Sequence, residues 1–224
     1  MTPTNPRSQA PTTEPLGALG ERLALVVIDV QVGFDDPVWG ARNNPDADAN
    51  IDRLVREFTR REQLVVYVRH DSTDTTSPLH PSRPGNSLKP YLRWRQPDLW
   101  VTKTVNSSFH GSPDLHTWLI GQKASDVVIS GITTNHCCET TARLGGNLGH
   151  RVHFVLDATH TFDRTGPDGT VVAADELARV TAANLHGEFA TVVSTRDVLR
   201  GLGGHSENTG AHEAAPVPRR RLVR

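Results

Sequence analysis

The stretch Val127-Val128-Ile129-Ser130-Gly131-Ile132-Thr133-Thr134-Asn135-His136-Cys137-Cys138-Glu139-Thr140-Thr141-Ala142-Arg143 decides how this chain folds. It opens as a short apolar, β-branched run of the kind that forms a buried strand. A Gly-Ile-Thr-Thr turn follows, and then a helical pattern that opens on a cysteine. The first turn of a helix carries N–H groups without intrahelical partners and the positive end of the helix dipole. A thiol placed there is expected to give up its proton more easily and to act as a nucleophile. The chain has two cysteines, and both lie here.

The same strand-then-helix alternation extends in both directions. Apolar runs at residues 24–30, 64–68, 101–104, 126–130, 152–156 and 190–193 read as strands. Helical spacing marks 48–62, where Ile51, Leu54, Val55 and Phe58 share a face, and also 114–121, 137–149, 171–185 and 195–199. Near-continuous apolar strands alternating with amphipathic helices predict a parallel sheet covered on both faces. The expected fold class is α/β: a three-layer α/β/α, Rossmann-like domain around a six-stranded, mostly parallel sheet. Sites in such sheets form at the carboxyl ends of the strands.

The ordered domain is expected over residues 21–202. Residues 1–20 and 203–224 are polar and rich in Pro, Gly and Ser, and lack periodic apolar positions, so both are expected to be disordered. Residues 71–97 form a long irregular stretch carrying Tyr91 and Trp94. Connections of that length are commonly functional, and this one is expected to wall or cover a pocket.

The bulk numbers exclude several classes. Lys and Arg total 24 against 25 Asp and Glu, a net charge of -1, so nothing suggests a nucleic-acid or anionic-membrane partner. Two adjacent cysteines make no disulfide framework, no apolar run reaches the ~20 residues of a membrane span, and the N-terminus is not a signal peptide. A cytoplasmic location is expected. A dinucleotide fingerprint needs Gly-x-Gly-x-x-Gly after the first strand; Asp29-Val30-Gln31-Val32-Gly33-Phe34 stands there instead.

Three ionisable residues fall at strand ends: Asp29 after the first, Lys103 on the third, Cys137 after the fourth. A carboxylate at the end of a buried run needs a partner or a role, be it a cap, a salt bridge or catalysis. Lys103, between Thr102 and Thr104, can pair with Asp29 or with a thiolate, or be an exposed edge lysine. Cys138 points about 100° away from Cys137 on a helix and is expected to pack against the sheet. A redox pair of the two cysteines is an alternative.

In order along the chain stand Asp29-Val30-Gln31 with Phe34, Lys103 followed by Ser107-Ser108-Phe109, and Gly131 through Thr134 to Cys137. By these motifs the chain resembles the isochorismatase-like cysteine hydrolases, a family that includes nicotinamidases, N-carbamoylsarcosine amidases and ureide hydrolases. The resemblance covers about residues 22–199. It implies an Asp-Lys-Cys triad of Asp29, Lys103 and Cys137. It further implies a cis peptide at Ile132–Thr133 that turns the Thr133 N–H, with that of Cys137, toward an oxyanion. The implied activity is hydrolysis of a C–N bond in a small amide, lactam or ureide through a cysteine thioester. The implied assembly is a homodimer or homotetramer.

Nicotinamidases hold a metal through Asp-x-His after the second strand, whereas Arg69 is followed here by His70-Asp71-Ser72. That pattern is broken, and neither a metal nor another cofactor is expected. A streptothricin-type lactam hydrolase is one member type of matching size. A non-catalytic or thiol-redox protein on the same fold is the alternative outside hydrolysis. Gln31, Phe34, Trp94, Phe109 and His136 are candidate substrate-binding residues. Trp39, Tyr91 and Phe162 either line the pocket or belong to the core.

Overall fold

A computed structural model of the protein describes residues 19–204. The chain runs β1 (Leu23–Ile28), α1 (Ala47–Arg60), β2 (Leu64–His70), β3 (Leu99–Lys103), α2 (Leu115–Gly121), β4 (Asp126–Ile132), α3 (Glu139–Asn147) and β5 (Arg151–His160). It continues through the short strands β6 (Arg164–Thr165) and β7 (Val171–Val172), then α4 (Ala174–Leu185), β8 (Thr191–Val193) and α5 (Thr195–Gly204). Six strands form one sheet in the order β3-β2-β1-β4-β5-β8, and every pairing is parallel. The architecture is the α/β/α sandwich read from the sequence.

Both faces of the sheet are dry, which explains the lack of alternation in its strands. Leu23, Leu25 and Val27 of β1 face α1 and α5, packing with Ile51, Leu54, Phe58, Val198 and Leu202. Ala24, Val26 and Ile28 face the other way, with Leu115, Leu119, Ala142 and Leu185 from α2, α3 and α4. The strand order reverses between β1 and β4. A crevice opens at such a switch point beyond the carboxyl ends of the strands.

Of the boundaries that differ from the sequence reading, four bear on the site. First, β1 stops at Ile28, because Asp29 adopts a left-handed backbone (φ 53°) and leaves the strand. Second, the helix does not open on Cys137. A π-helical turn, Thr134–Cys138, precedes α3, and the Thr133 carbonyl accepts from both the His136 and Cys138 N–H groups. Third, α4 starts at Ala174 rather than at Val171. Val171 and Val172 pair instead with Arg164 and Thr165 in an antiparallel hairpin absent from the sequence reading. Fourth, β5 runs on to His160 past a bulge opposite Ile129 to Gly131.

Gly131 has to be glycine. Its φ is 133°, and a Cβ would lie 2.1 Å from the Ile28 carbonyl oxygen. This close approach lets β4 pass beside the end of β1, bringing the turn before Cys137 next to Asp29.

The expected tails fall almost entirely outside the described residues. At their edges, Leu19 is buried, the Gly20 N–H donates to Asp126, and Gly203 and Gly204 complete α5. The 71–97 stretch is pinned to the domain. Asn86 donates to the carbonyls of His70 and Leu79, while Leu79, Leu88 and Leu92 enter the core. Lys89 reaches Asp35 and Asp48.

One buried group makes the fold sensitive to acid. His160, at the end of β5, has no exposed surface, and neither ring nitrogen has a partner among the described residues. Burial, reinforced by Arg42 and Lys89, lowers its pKa from 6.5 to about 3. A depressed histidine pKa means that the unfolded chain binds the proton more readily, so stability falls as pH drops below about 6.5. The expected slope from this residue is at most ~1.4 kcal/mol per pH unit down to about pH 3. Urea unfolding between pH 7 and 5 should show this slope, and His160→Leu should flatten it; an unchanged slope in the variant would remove His160 as the cause.

Candidate active site

Three strand ends deliver one charged cluster. The left-handed turn at Asp29 places its carboxylate under the end of β3, where Lys103 is the last strand residue. The Lys103 ammonium donates to Asp29 Oδ2 at 2.6 Å and to Cys137 Sγ at 3.4 Å. Both charged side chains are fully buried, and Cys137 is 8% exposed. Ammonium and carboxylate therefore meet at the thiol, beyond the carboxyl ends of the strands. The Asn106 side chain stands over the thiol, with Oδ1 3.8 Å from Sγ.

The electrostatics reverse one sequence expectation. Burial, reinforced by the Asp29 charge, pushes the Cys137 thiol well above its usual range, and Lys103 offsets this only in part. These influences favour the protonated thiol at Cys137 over a thiolate stabilised by a helix end. Burial also works against the charge on Lys103, but Asp29 and Cys137 more than offset it, so its pKa is raised and the ammonium persists. Asp29 Oδ1 is buried without a conventional partner, leaving the neighbouring thiol as the proton within its reach.

His70 completes the cluster. Its Nδ1 lies 3.4 Å from the Lys103 ammonium. Burial, followed by the Lys103 charge, lowers its pKa, so it is a neutral ring near neutral pH. The sequence singled out His70 only as part of a broken metal motif. Its real signal was register: His70 pairs with Lys103 across β2 and β3.

The donor atoms of Asp29, His70 and Cys137 lie within 4.8 Å of one another, a spacing that could hold a metal. Lys103 argues against one, because its ammonium already contacts all three groups and would repel a second cation. Asp71 is equally unsuited, since its carboxylate takes both arms of the Arg69 guanidinium and the Asn86 amide. The residues present do not fit the nicotinamidase-type metal.

The peptide Ile132–Thr133 is cis, as the resemblance implied. Cys138 is completely buried against the sheet with Ala142 and Phe154, and both cysteines are free.

The candidate substrate-binding residues separate. Gln31 is fully buried and spends its amide on the fold: Nε2 donates to the carbonyls of His70 and Asn86, and Oε1 accepts from the His70 N–H. It positions His70 and has little capacity left for a ligand. Phe34 forms an aromatic group with Trp39 and Phe162, at centroid distances of 5.2 and 6.4 Å. Phe109 packs between Gly145 and His150 as core. Trp94 is not brought to the cluster; it is half-exposed beneath the Arg56 guanidinium of α1. His136 is half-buried and meets Arg164, which the sequence reading passed over because it lies in the unforeseen hairpin.

A buried thiol, carboxylate and ammonium at the switch point of a parallel sheet define an α/β protein with the furnishings of a hydrolase. The Isochorismatase domain model matches residues 23–197, and the chain belongs to the isochorismatase family of hydrolases. It is 37% identical to the isochorismatase family protein YrdC of Bacillus subtilis over 179 residues, covering 80% of this chain and 95% of that one. An isochorismatase-family structure from Chromobacterium violaceum superposes with a TM-score of 0.79 at 32% identity, covering 87% of this chain and all of the other. Partial matches cover about half of each relative's length: 36% identity to nicotinamidase 3 of Arabidopsis thaliana and 30% to a streptothricin hydrolase of Streptomyces noursei. Those matches span 49% and 62% of this chain. No helix among the described residues is long and apolar enough to cross a membrane.

Proposed function

We propose that the protein hydrolyses a C–N bond of a small amide, lactam or ureide through a thioester on Cys137, with Asp29 and Lys103 as its catalytic partners. The observation that carries this reading is the Lys103 ammonium, held at once on Asp29 and on the Cys137 sulfur. The partial matches to a nicotinamidase and a streptothricin hydrolase lend support, since the first name denotes an amidase and the second a hydrolase.

In this mechanism Asp29 takes the thiol proton, and Lys103 offsets the charge on the new thiolate. The thiolate attacks the carbonyl carbon, and the N–H groups of Thr133 and Cys137 receive the oxyanion. Protonated Asp29 gives its proton to the leaving nitrogen as the C–N bond breaks. A water molecule then loses a proton to Asp29 and attacks the thioester carbonyl. The C–S bond breaks, and Asp29 returns the proton to the sulfur. A homodimer or homotetramer is part of the proposal, and light scattering on the eluting protein reads it directly.

The test is a panel of primary amides, lactams and ureides assayed for ammonia or amine release, with Cys137→Ala as the blank. Release that depends on Cys137 is expected. A reversible Cys137–Cys138 disulfide with no hydrolysis of any panel member would favour a thiol-redox protein instead.

A further inference from the structure

Two histidines outside the catalytic cluster meet edge to face. His116 sits in the first turn of α2, and His150 lies between α3 and β5. His116 Nδ1 and His150 Nε2 are 2.9 Å apart. The ring planes meet at 77°, with centroids 5.0 Å apart. His150 also stacks on Phe109, at 5.5 Å and 14°. Both residues are half-buried, and neither ring has another hydrogen bond or an ion pair among the described residues.

A neutral imidazole carries one proton and can place it on either nitrogen. With one proton between the facing nitrogens, the pair forms a hydrogen bond. With both protons on the outer nitrogens, two lone pairs face each other, and a cation can share them. Metal–imidazole bonds are about 2.0–2.1 Å long, so nitrogens 2.9 Å apart would enclose an angle of about 90° at the ion. A tetrahedral ion would need the nitrogens about 3.3 Å apart. The bite therefore fits neighbouring positions on a square-planar or tetragonal ion, the preference of copper(II) and nickel(II). The edge-to-face arrangement keeps each ring clear of the other. The charge that repels a metal from Asp29, His70 and Cys137 is also missing here, since no lysine or arginine is bonded to either ring among the described residues.

We propose that His116 and His150 form a two-histidine site for a divalent cation of the copper(II) or nickel(II) class, with water in the remaining positions. An ion held there ties the first turn of α2 to the turn between α3 and β5, against Phe109. Its role is that of a clip on the fold, and it does not depend on the hydrolase reading.

Nickel(II) is the probe, because it does not oxidise free thiols as copper(II) does. The untagged full-length Cys137→Ala chain removes the catalytic sulfur as a rival ligand. The chain has 11 histidines, so the readout has to be residue-specific: side-chain NMR of histidine-labelled protein during the titration. The rings of His116 and His150 are expected to broaden first and together. His116→Gln and His150→Gln should each weaken binding by about 100-fold, the loss that follows when a second, intramolecular ligand is removed. Nickel should also raise the thermal midpoint of the parent chain and leave that of either variant unmoved. Zinc(II), the tetrahedral comparator, should bind more weakly than nickel. Broadening centred on other histidines, no saturable binding, affinity that survives either substitution, or zinc binding tighter than nickel would overturn the proposal. If a variant fails to fold, the broadening pattern of the parent chain still decides. No turnover is measured, so the outcome stands apart from that of the amidase reading.

Discussion

Cys137→Ala should abolish hydrolysis, by roughly 10,000-fold or more, while leaving the fold intact. The side chain is small and loses a single sulfur atom, so unfolding midpoints should move little. Cys138→Ala is the informative companion. That residue is completely buried in the core beneath α3. Its truncation should lower stability by about 1 kcal/mol and leave kcat close to wild type. The adjacent thiols would thus divide into one that affects rate and one that affects stability. Steady-state kinetics and urea denaturation on both variants read this directly. Loss of activity in Cys138→Ala with retention in Cys137→Ala would reverse the assignment.

Lys103→Met should have the largest effect on stability. Its ammonium and the Asp29 carboxylate are both inaccessible to solvent and 2.6 Å apart. Removing one partner leaves the other charge buried and unpaired, at a cost of about 3–5 kcal/mol. Activity should fall as well, by on the order of 100- to 10,000-fold, because the thiolate would lose its counter-charge. The double variant Asp29→Asn/Lys103→Met separates the two effects. With no charge left to strand, much of the stability should return, but the activity should not. Recovery of turnover in the double variant would show that the pair serves only the fold.

The sequence made the fold legible because the sheet is dry on both faces. Strands such as Ala24 to Ile28 are continuously apolar and admit few other readings. The ends of elements were legible only where a residue enforces them. Nothing in Asp29 announces a left-handed turn, and a hairpin of two-residue strands at Arg164 has too few side chains to show a period. The same limits apply to the site. Asp29, Lys103 and Cys137 could be read because each follows an apolar run. His70 and Asn106 could not, because register and a loop bring them to the cluster. Trp94 shows the converse error: an aromatic in a long connection suggested a pocket wall, but the chain carries it to α1 under Arg56.

The thiol chemistry was only half legible. A helix start beside a cation suggested a ready thiolate, yet burial, reinforced by Asp29, raises the thiol pKa and Lys103 offsets this only in part. The base therefore matters more than the dipole, which is why Asp29, with one oxygen on Lys103 and the other unspent, takes the central role in the proposed mechanism.

Quenched-flow mass spectrometry of the enzyme turning over an active amide tests the central proposal most directly. The predicted result is an acyl adduct with the mass of the substrate's acyl group, mapped by fragment ions to Cys137 and absent from Cys137→Ala. An adduct on Cys138, or product accumulating while both thiols stay unmodified at every quench time, would contradict it.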